Sequence, residues 1–284
     1  MNTIKLRSML EQFYVEDIGD CDLSSEFLFP EAITGELNIV AKMDGVFCGR
    51  KVIEEGLRVV DPSTTVSCYV EDGGTIEKGS VIATAKGPVQ SLLKSERVIL
   101  NLIQRMSAIA TETHRVAEKI EGTGTKVCDT RKTMPGLRML DKYAVRMGGG
   151  FNHRNGLFDA VMLKDNHLAF AGSLTTAVET VRAALGHTTK IEVEIESFAQ
   201  LQEAIAVKAD IIMFDNCTPE TIREWKQIVP DNIITEASGM ITNDTIRAYA
   251  ESGVDYISLG YLTHSVKALD ISANVTINKS NGGN

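Results

Sequence analysis

Residues 190–215 read KIEVEIESFAQLQEAIAVKADIIMFD, and this stretch decides the fold. Its β-branched ends predict strands at Lys190–Ile195 and Ile211–Phe214, and Phe198–Val207 between them has the periodicity of a helix. A strand, a helix of about ten residues and a second strand form one parallel βαβ unit. The stretch therefore predicts an α/β fold built on parallel strands.

The same alternation extends in both directions from this stretch. The predicted strands are Lys126–Asp129, Ala160–Lys164, Lys190–Ile195, Ile211–Phe214, Ile233–Ala237 and Tyr256–Leu259. The predicted helices are Gly136–Met147, Leu174–Leu185, Phe198–Val207, Pro219–Ile228 and Thr242–Ser252. Six strands in a row favour an α/β barrel of about six parallel strands, related to the (β/α)8 or TIM design, over an open doubly wound sheet. A dinucleotide-binding sheet is disfavoured, because no G-x-G-x-x-G motif follows an early strand.

Residues 1–110 have a different pattern and predict a mixed α/β amino-terminal domain. Its predicted elements are a helix at Ser8–Asp17, strands at Leu37–Met43, Gly45–Gly49, Thr65–Glu71 and Ser80–Lys86, and a long helix at Ser95–Glu118. Segment 268–278 contains a further alternating run, so we expect it to rejoin this domain and to leave 111–267 as the barrel catalytic domain. The polar tail 279–284 is expected to be frayed.

The composition excludes several classes of function. The formal net charge of the 284 residues is -9, which argues against nucleic acid as a partner. No apolar run is long enough to span a membrane, and no signal peptide is evident. The five cysteines include no C-x-x-C pair, so a zinc site or a disulfide framework is not expected. The cytoplasm is the expected location.

Polar or small residues follow every predicted strand of the second domain, where catalytic residues of a barrel lie. The ends of the first strands carry cationic side chains, which suit a ligand with several carboxylates. The ends of the later strands carry acidic side chains, which suit sugar hydroxyls or Mg²⁺. The ends of the last two strands carry small residues, which suit a phosphate. The sequence thus predicts one ligand rich in carboxylate and one phosphosugar with magnesium. The ends are Asp129–Lys132, Lys164–His167, Glu192 with Glu194 and Glu196, Asp215–Asn216, Glu236–Gly239 and Gly260.

A set of motifs, in order along nearly the whole chain, resembles the quinolinate phosphoribosyltransferases, also called carboxylating nicotinate-nucleotide pyrophosphorylases. The first is DTRKTMPG at 129–136, and KYAVRMGGGFNHR follows at 142–154. The others are KDNH at 164–167, IEVE at 191–194, FDN at 214–216, EASGMI at 236–241 and ISLGYLTHS at 257–265, with EDIG at 16–19 and ER at 96–97 upstream.

The resemblance implies a phosphoribosyltransferase that uses quinolinate, phosphoribosyl pyrophosphate and Mg²⁺, and releases pyrophosphate and CO2. It also implies a homodimer, alone or within a larger assembly, in which each active site is completed by the amino-terminal domain of the partner subunit. By this resemblance, quinolinate contacts Arg131, His153, Arg154, Lys164 and Arg97 of the partner subunit, and Thr130 is a further substrate-binding residue. Lys132 lies at the pyrophosphate end, and Glu194 and Asp215 hold the ribose hydroxyls and are candidate magnesium ligands. The 5′-phosphate is held by Ser238, Gly239, Met240, Leu259, Gly260 and Tyr261. Lys132, Glu194 and Asp215 are the expected catalytic residues.

Some positions depart from the family pattern, and some alternatives stay open. Met240 stands where the family has a second glycine, Ala108 also replaces a glycine, and Tyr261 stands where small residues are usual. His153 is either a direct ligand or an orienting hydrogen-bond partner. The rival functions are a related pyrophosphorylase-like protein linked to molybdate uptake, a non-catalytic binding protein, and a lipoyl- or biotinyl-type carrier module at residues 40–90.

Overall fold

The computed structural model describes residues 1–277, and the side chains of all of these except residues 166, 168 and 169. The strands are β1 (Thr34–Ala41), β2 (Gly45–Val46), β3 (Thr65–Cys68), β4 (Thr75–Ile76), β5 (Val81–Pro88), β6 (Lys126–Cys128), β7 (Val161–Leu163), β8 (Ile191–Ile195), β9 (Ile211–Asp215), β10 (Ile234–Ser238), β11 (Tyr256–Ser258) and β12 (Ile271–Ile277). The helices are α1 (Thr3–Ile18), α2 (Ser25–Leu28), α3 (Arg50–Val60), α4 (Val89–Lys119), α5 (Arg138–Met147), α6 (Asp165–Ala171), α7 (Leu174–Ala184), α8 (Phe198–Ala206), α9 (Pro219–Trp225), α10 (Ile246–Ala250) and α11 (Tyr261–His264).

The chain divides into two units. Unit 1 contains Met1–Glu112, Met139–Gly148 and the described residues from Ser265 onward, and unit 2 contains Thr113–Arg138 and Gly149–His264. The boundary falls within α4. Within residues 1–277, no helix combines the length and the apolar character needed to cross a membrane.

Unit 1 is built on an antiparallel sheet of four strands in the order β12-β1-β5-β3. Along β1, the residues Leu37, Ile39 and Ala41 are buried and alternate with more accessible ones, as expected for a sheet with one face on a core. Strand β12 pairs with residues 35–41 of β1. A separate pair, β2 and β4, is antiparallel as well.

Unit 2 is built on a parallel sheet of six strands in the order β6-β11-β10-β9-β8-β7. The first strand of the unit, β6, thus pairs with the last, β11, and each of the others pairs with its neighbours in the chain. This circular order is that of a barrel, whereas a doubly wound sheet would have its first strand in the interior. The order is interrupted between β6 and β7, where Phe151 forms a parallel bridge to Cys128.

The two faces of the parallel sheet have opposite chemistry. On β8, the residues Ile191, Val193 and Ile195 belong to the apolar core of the unit, while Glu192 and Glu194 alternate with them on the other face. Phe214 on β9 and Ala237 on β10 belong to the same core. The face opposite the core therefore carries the polar side chains, and the carboxyl ends of the strands bring these together.

The predicted fold class is confirmed, because a mixed α/β part is followed by six parallel strands with helices between them. The six predicted strands match β6–β11 to within one residue at each end. The predicted strand Gly45–Gly49 was wrong beyond Val46, and helix α3 was not predicted. The helix predicted at Thr242–Ser252 is shorter, because Thr242 and Thr245 bond each other in a turn ahead of α10. The predicted tail 279–284 lies outside the described residues.

Candidate active site

A cavity of about 840 Å³ opens at the carboxyl ends of the parallel strands of unit 2. This is within the size range of small-molecule sites. Arg97 is the one predicted site residue that does not line it. The predicted residues that do are Thr130, Arg131, Lys132, His153, Arg154, Lys164, Glu194, Asp215, Ser238, Gly239, Met240, Leu259, Gly260 and Tyr261.

Three cations on the cavity wall lack carboxylate partners. Arg131, Lys132 and Arg154 form no ion pair with any residue in the described range, although Arg154 Nη1 donates to the carbonyl oxygen of Ala160 at 3.0 Å. Burial lowers the pKa of Arg154, and repulsion by Arg131 lowers it further. Glu192 and Asp159 attract Arg154 without forming an ion pair with it. Two guanidinium groups that repel each other at the cavity wall suit an anion with more than one carboxylate.

The ring of His153 is held by the protein at both nitrogens. Nδ1 accepts a hydrogen bond from the backbone N–H of Arg154 at 2.8 Å, and Nε2 lies 2.9 Å from a carboxylate oxygen of Glu192. The backbone N–H of His153 donates to Asp129, which is fully buried and also binds Asn152. Of the two alternatives for His153, this geometry favours the orienting partner over the direct ligand.

Two carboxylates face the cations across the cavity. Glu194, at the end of β8, accepts a hydrogen bond from Lys164 Nζ. Burial raises the pKa of Asp215, at the end of β9, and repulsion by Glu194 raises it further. This pair of acids is suited to hold a cation, a developing positive charge or sugar hydroxyls.

The loop after β10 is shaped by two residues with left-handed backbone. Gly239 has φ +92°, and a Cβ there would lie 2.3 Å from Asn216 Oδ1, so glycine is required. Met240 has φ +54° although it is not glycine, and its side chain is 91% exposed. Met240 thus adopts the backbone conformation suited to a glycine.

Because Gly260 has no side chain, the aliphatic part of the Lys132 side chain can pack against the loop after β11. A Cβ at this position would lie 2.8 Å from Lys132 Cδ. The end of β11, which carries Gly260, therefore meets Lys132 at the cavity, and Gly239 at the end of β10 lines the same cavity.

The cavity also contains residues that were not among the predicted site residues. Asn216, Thr242 and His264 line its rim. Each lies in or next to a motif noted in the sequence, so the signal was present, but the spacing alone did not show that these side chains reach the cavity. Met162, Met213 and Ser258 line the cavity from inward positions of β7, β9 and β11.

Arg97 lies on α4 in unit 1. Its side chain is 59% exposed and its contact with Glu96 is long, at 3.8 Å. Exposed pairs of this kind contribute little to stability, so the contacts among the described residues do not explain an arginine at this position.

A cation could be held at two places in unit 2. Glu194 and Asp215 line the cavity, and their carboxylate oxygens are the ligand type that Mg²⁺ prefers. Behind the cavity wall, ligand atoms of His153, Glu192 and Glu236 lie within 4.8 Å of one another. Burial raises the pKa of Glu236 to about 7, and repulsion by Glu192 contributes to the rise.

Comparison with known proteins gives one family for both parts of the chain. The family model of the quinolinate phosphoribosyl transferase N-terminal domain matches residues 22–107, and that of the C-terminal domain matches residues 109–274. A probable carboxylating nicotinate-nucleotide pyrophosphorylase of Bacillus subtilis is 52% identical over 277 residues, which cover 98% of this chain and 96% of that protein. A probable enzyme of the same name from Synechocystis is 40% identical over 95% of this chain and 92% of its own length.

Solved structures give the same result. The crystal structure of NadC from Streptococcus pyogenes has a TM-score of 0.94 and 37% sequence identity, and the match covers 98% of this chain and 99% of that one. The nicotinate-nucleotide pyrophosphorylase of Francisella tularensis has a TM-score of 0.92 and 36% identity, covering 97% of this chain and 98% of that one.

Proposed function

The chain belongs to the quinolinate phosphoribosyltransferase family and is a carboxylating nicotinate-nucleotide pyrophosphorylase of de novo NAD biosynthesis, and we propose that the cavity of unit 2 is its active site. The enzyme transfers a phosphoribosyl group to quinolinate with loss of CO2, and gives nicotinate mononucleotide and pyrophosphate. The observation that carries the site proposal is the set of three cavity cations without carboxylate partners, which faces two acids.

Quinolinate binds at the cationic wall. Its two adjacent carboxylates match the paired guanidinium groups of Arg131 and Arg154, each of which can bind a carboxylate bidentately. Lys164 also lines the cavity, and its Nζ binds Glu194. Thr130 lies next to Arg131 on the same wall.

Phosphoribosyl pyrophosphate binds along the acids and the glycine-containing loops. The loops at Ser238–Met240 and Leu259–Tyr261 surround the 5′-phosphate, and the glycines allow close approach of the backbone. The N–H of Leu259 itself is bonded to the carbonyl oxygen of Cys128, so the N–H groups for the phosphate come from the other residues of the two loops. Glu194 and Asp215 hold the ribose hydroxyls. Lys132 is positioned to bind the pyrophosphate that leaves.

The chemistry then follows from the placement of charge. The ring nitrogen of quinolinate attacks the anomeric carbon as the bond to pyrophosphate breaks, and positive charge develops on the ribose. Glu194 and Asp215 stabilise that charge, and Lys132 offsets the charge of the leaving pyrophosphate. The resulting pyridinium ring accepts the electron pair of the C2–carboxylate bond, so CO2 leaves and a proton from solvent replaces it. No covalent bond to the enzyme is required.

Magnesium is the proposed cofactor. The carboxylate oxygens of Glu194 and Asp215 are the ligand type that Mg²⁺ prefers. Burial and repulsion by Glu194 raise the pKa of Asp215 even though Lys164 binds Glu194, so a further cation would stabilise the charged form of Asp215. When bound with the substrate pyrophosphate, Mg²⁺ would neutralise part of the leaving group's charge.

The active unit is proposed to be a homodimer in the cytoplasm. Within residues 1–277, the ion pair of Arg97 is the long contact with Glu96, which supports a role for Arg97 of the partner subunit in binding quinolinate. The cytoplasm is proposed because all five cysteines are free thiols.

The site proposal is tested with purified protein, Mg²⁺, phosphoribosyl pyrophosphate and either quinolinate or nicotinate. We expect nicotinate mononucleotide and CO2 in equal amounts from quinolinate, and a kcat/KM for nicotinate on the order of 100-fold lower, because a missing carboxylate leaves cations unpaired. Equal kcat/KM for the two acids would rule out the proposed two-carboxylate wall.

A further inference from the structure

Two loops carry the guanidinium groups of the proposed quinolinate wall. The loop after β6 carries Arg131, and the loop after Phe151 carries Arg154. Coulomb repulsion between these two arginines acts to widen the gap between the loops. Quinolinate has its carboxylates on adjacent ring carbons, so the wall matches it only where the separation of the two guanidinium groups is held fixed.

Arg138 joins the two loops through its own guanidinium group. Nε donates to the hydroxyl of Thr133 at 3.0 Å, and Nη1 donates to the carbonyl oxygen of Asn155 at 3.2 Å. Thr133 lies in the same loop as Arg131, and Asn155 directly follows Arg154. The donors of a guanidinium group form a rigid planar fork, so this bridge sets both a distance and a direction.

Asp159 closes the second loop on itself. Its carboxylate accepts from the backbone N–H of Asn155 at 2.6 Å, from the side-chain amide of Asn155 at 2.9 Å and from the backbone N–H of Gly156 at 2.9 Å. Nη1 of Arg154 donates to the carbonyl oxygen of Ala160 at 3.0 Å, so the guanidinium is directed by the same turn. The carbonyl group that receives the bridge therefore belongs to a turn that Asp159 holds in shape.

We infer that Arg138 and Asp159 are positioning residues that determine the specificity of the quinolinate site. Asp159 fixes the turn that directs Arg154, and Arg138 fixes the distance of that turn from the loop of Arg131. Neither residue lines the cavity, so each acts through the guanidinium groups that do. The inference rests on the proposed placement of quinolinate at Arg131 and Arg154, and it assigns the preference for adjacent carboxylates to the two residues that hold this placement.

The effect should be confined to the acid substrate. The hydroxyl of Thr263 donates to the carbonyl oxygen of Lys132 at 2.8 Å, and the backbone N–H of Lys132 donates to the hydroxyl of Thr130 at 3.0 Å. Neither contact involves Arg138 or Asp159, so Lys132 keeps its place when one of them is replaced. Binding of phosphoribosyl pyrophosphate should then be retained while quinolinate binding weakens.

The kinetic test compares Arg138→Ala with the control Arg182→Ala, and Arg131→Ala is the reference for the site itself. Arg182 is a matched control, because its guanidinium donates to the carbonyl oxygens of Val207 and Lys208 at 2.7 Å each and does not line the cavity. In Arg138→Ala, we expect the quinolinate KM to rise at least about tenfold while the KM for phosphoribosyl pyrophosphate stays within about twofold. The control should behave as the wild type for both substrates.

A lysine variant separates the fork from the charge. Arg138→Lys keeps the positive charge but replaces the planar fork by a single ammonium group. We expect its quinolinate KM to rise as in Arg138→Ala. A wild-type KM in Arg138→Lys would show that the charge alone acts on the anion, and would overturn the inference.

Two unreactive acids report the carboxylate separation itself. Phthalate and isophthalate have two carboxylates on adjacent and on alternate carbons of a benzene ring, and they lack the ring nitrogen that reacts. For the wild type, we expect phthalate to compete with quinolinate at least about tenfold more tightly than isophthalate; in Arg138→Ala and Asp159→Ala, the two inhibition constants should come within about twofold of each other. A general loss of stability would weaken both acids alike, so their ratio isolates a change of spacing.

The outcomes separate this inference from the site proposal. If Arg131→Ala keeps quinolinate binding, the site proposal itself fails. If Arg131→Ala loses it while Arg138→Ala and Asp159→Ala keep the wild-type KM and inhibitor ratio, the site stands and the positioning role is refuted. Weaker binding of both substrates with an unchanged inhibitor ratio would show a merely structural role and would also refute it. If Arg138→Ala does not fold, the inhibitor ratio of Asp159→Ala decides.

Discussion

Arg131 is exposed at the cavity wall and has no carboxylate partner in the described range, so its charge contributes little to the fold. We expect Arg131→Ala to raise the quinolinate KM or abolish turnover, with a loss on the order of 100-fold in kcat/KM, because one guanidinium–carboxylate pair is removed. The thermal midpoint should stay near that of the wild type. Steady-state kinetics and a melting curve on the same preparation measure both.

Lys126 provides the matched control, because it lies at the start of β6, the strand that precedes Arg131, over the rings of Phe151 and Tyr256. Lys126→Ala also removes one positive charge near β6 but leaves the cavity wall intact, so kcat/KM should be unchanged. If Arg131→Ala unfolds while each folded molecule keeps full activity, Arg131 is structural and the assignment of the wall is wrong.

Met240 tests whether the loop after β10 acts through its backbone. Met240→Gly should leave the free energy of unfolding within about 0.5 kcal/mol of the wild type, because relief of the left-handed backbone offsets the added freedom of the unfolded chain. Met240→Val should lose at least about 1 kcal/mol, because a β-branched residue fits φ +54° poorly. Urea unfolding measures both values.

The same variants test the substrate contact at this loop. If the backbone N–H groups bind the 5′-phosphate, Met240→Gly should keep the KM for phosphoribosyl pyrophosphate within about twofold. A rise of tenfold or more would mean that the exposed Met240 side chain itself contacts the substrate.

Single residues also show what the sequence could and could not predict about the site. Cations and acids at strand ends were predictable, because a parallel sheet gathers its carboxyl ends at one edge. The partners of His153 were not, because Glu192 is 39 residues away and meets the ring only after β6 and β8 take their places in the sheet. The interpretation of His153 as an orienting partner, with Arg154 as the ligand, therefore depends on tertiary contacts.

At the scale of elements, the strands of unit 2 were predictable and helix α3 was not. The strands are short apolar runs with turn residues on both sides, so their bounds follow from local pattern. Helix α3 begins after Gly49, which has no side chain to cap it, and the cap comes from Asp72. A cap supplied from 22 residues further along leaves no signal at the start of the helix.

Asp72 should therefore be a determinant of the stability of unit 1. Its side chain accepts from the backbone N–H groups of Gly49 and Arg50 at 2.7 and 2.9 Å, and from the hydroxyl of Tyr143 at 2.7 Å. We expect Asp72→Ala to lower the free energy of unfolding by about 1–2 kcal/mol, in the range of a lost helix cap. Chemical denaturation measures the loss.

The conservative variant provides the control for this cap. Asp72→Asn keeps an oxygen that can accept from the start of α3, so it should retain much of the lost stability. An Asp72→Ala variant as stable as the wild type would show that α3 is held by its apolar face alone, through buried residues such as Val52, Ile53 and Leu57.

At the scale of the whole molecule, the proposed homodimer makes a prediction that neither unit makes alone. Arg97 belongs to unit 1 and Lys164 to unit 2, and the proposal requires each site to take Lys164 from one chain and Arg97 of the partner subunit. Homodimers of Arg97→Ala and of Lys164→Ala should then both be nearly inactive. A site in which both residues are intact should exist only when the two variants are mixed.

Mixing the two variants under conditions of subunit exchange tests this arrangement. Random pairing makes half of the dimers mixed, and each mixed dimer has one site with both residues intact and one with neither, so activity should recover to about a quarter of the wild type. Exchange is verified separately with differently tagged chains. Recovery requires Arg97 to act across the dimer, because within either chain alone one of the two residues is always missing. Confirmed exchange without recovery would mean that each chain carries a complete site, and the shared-site proposal would have to be abandoned.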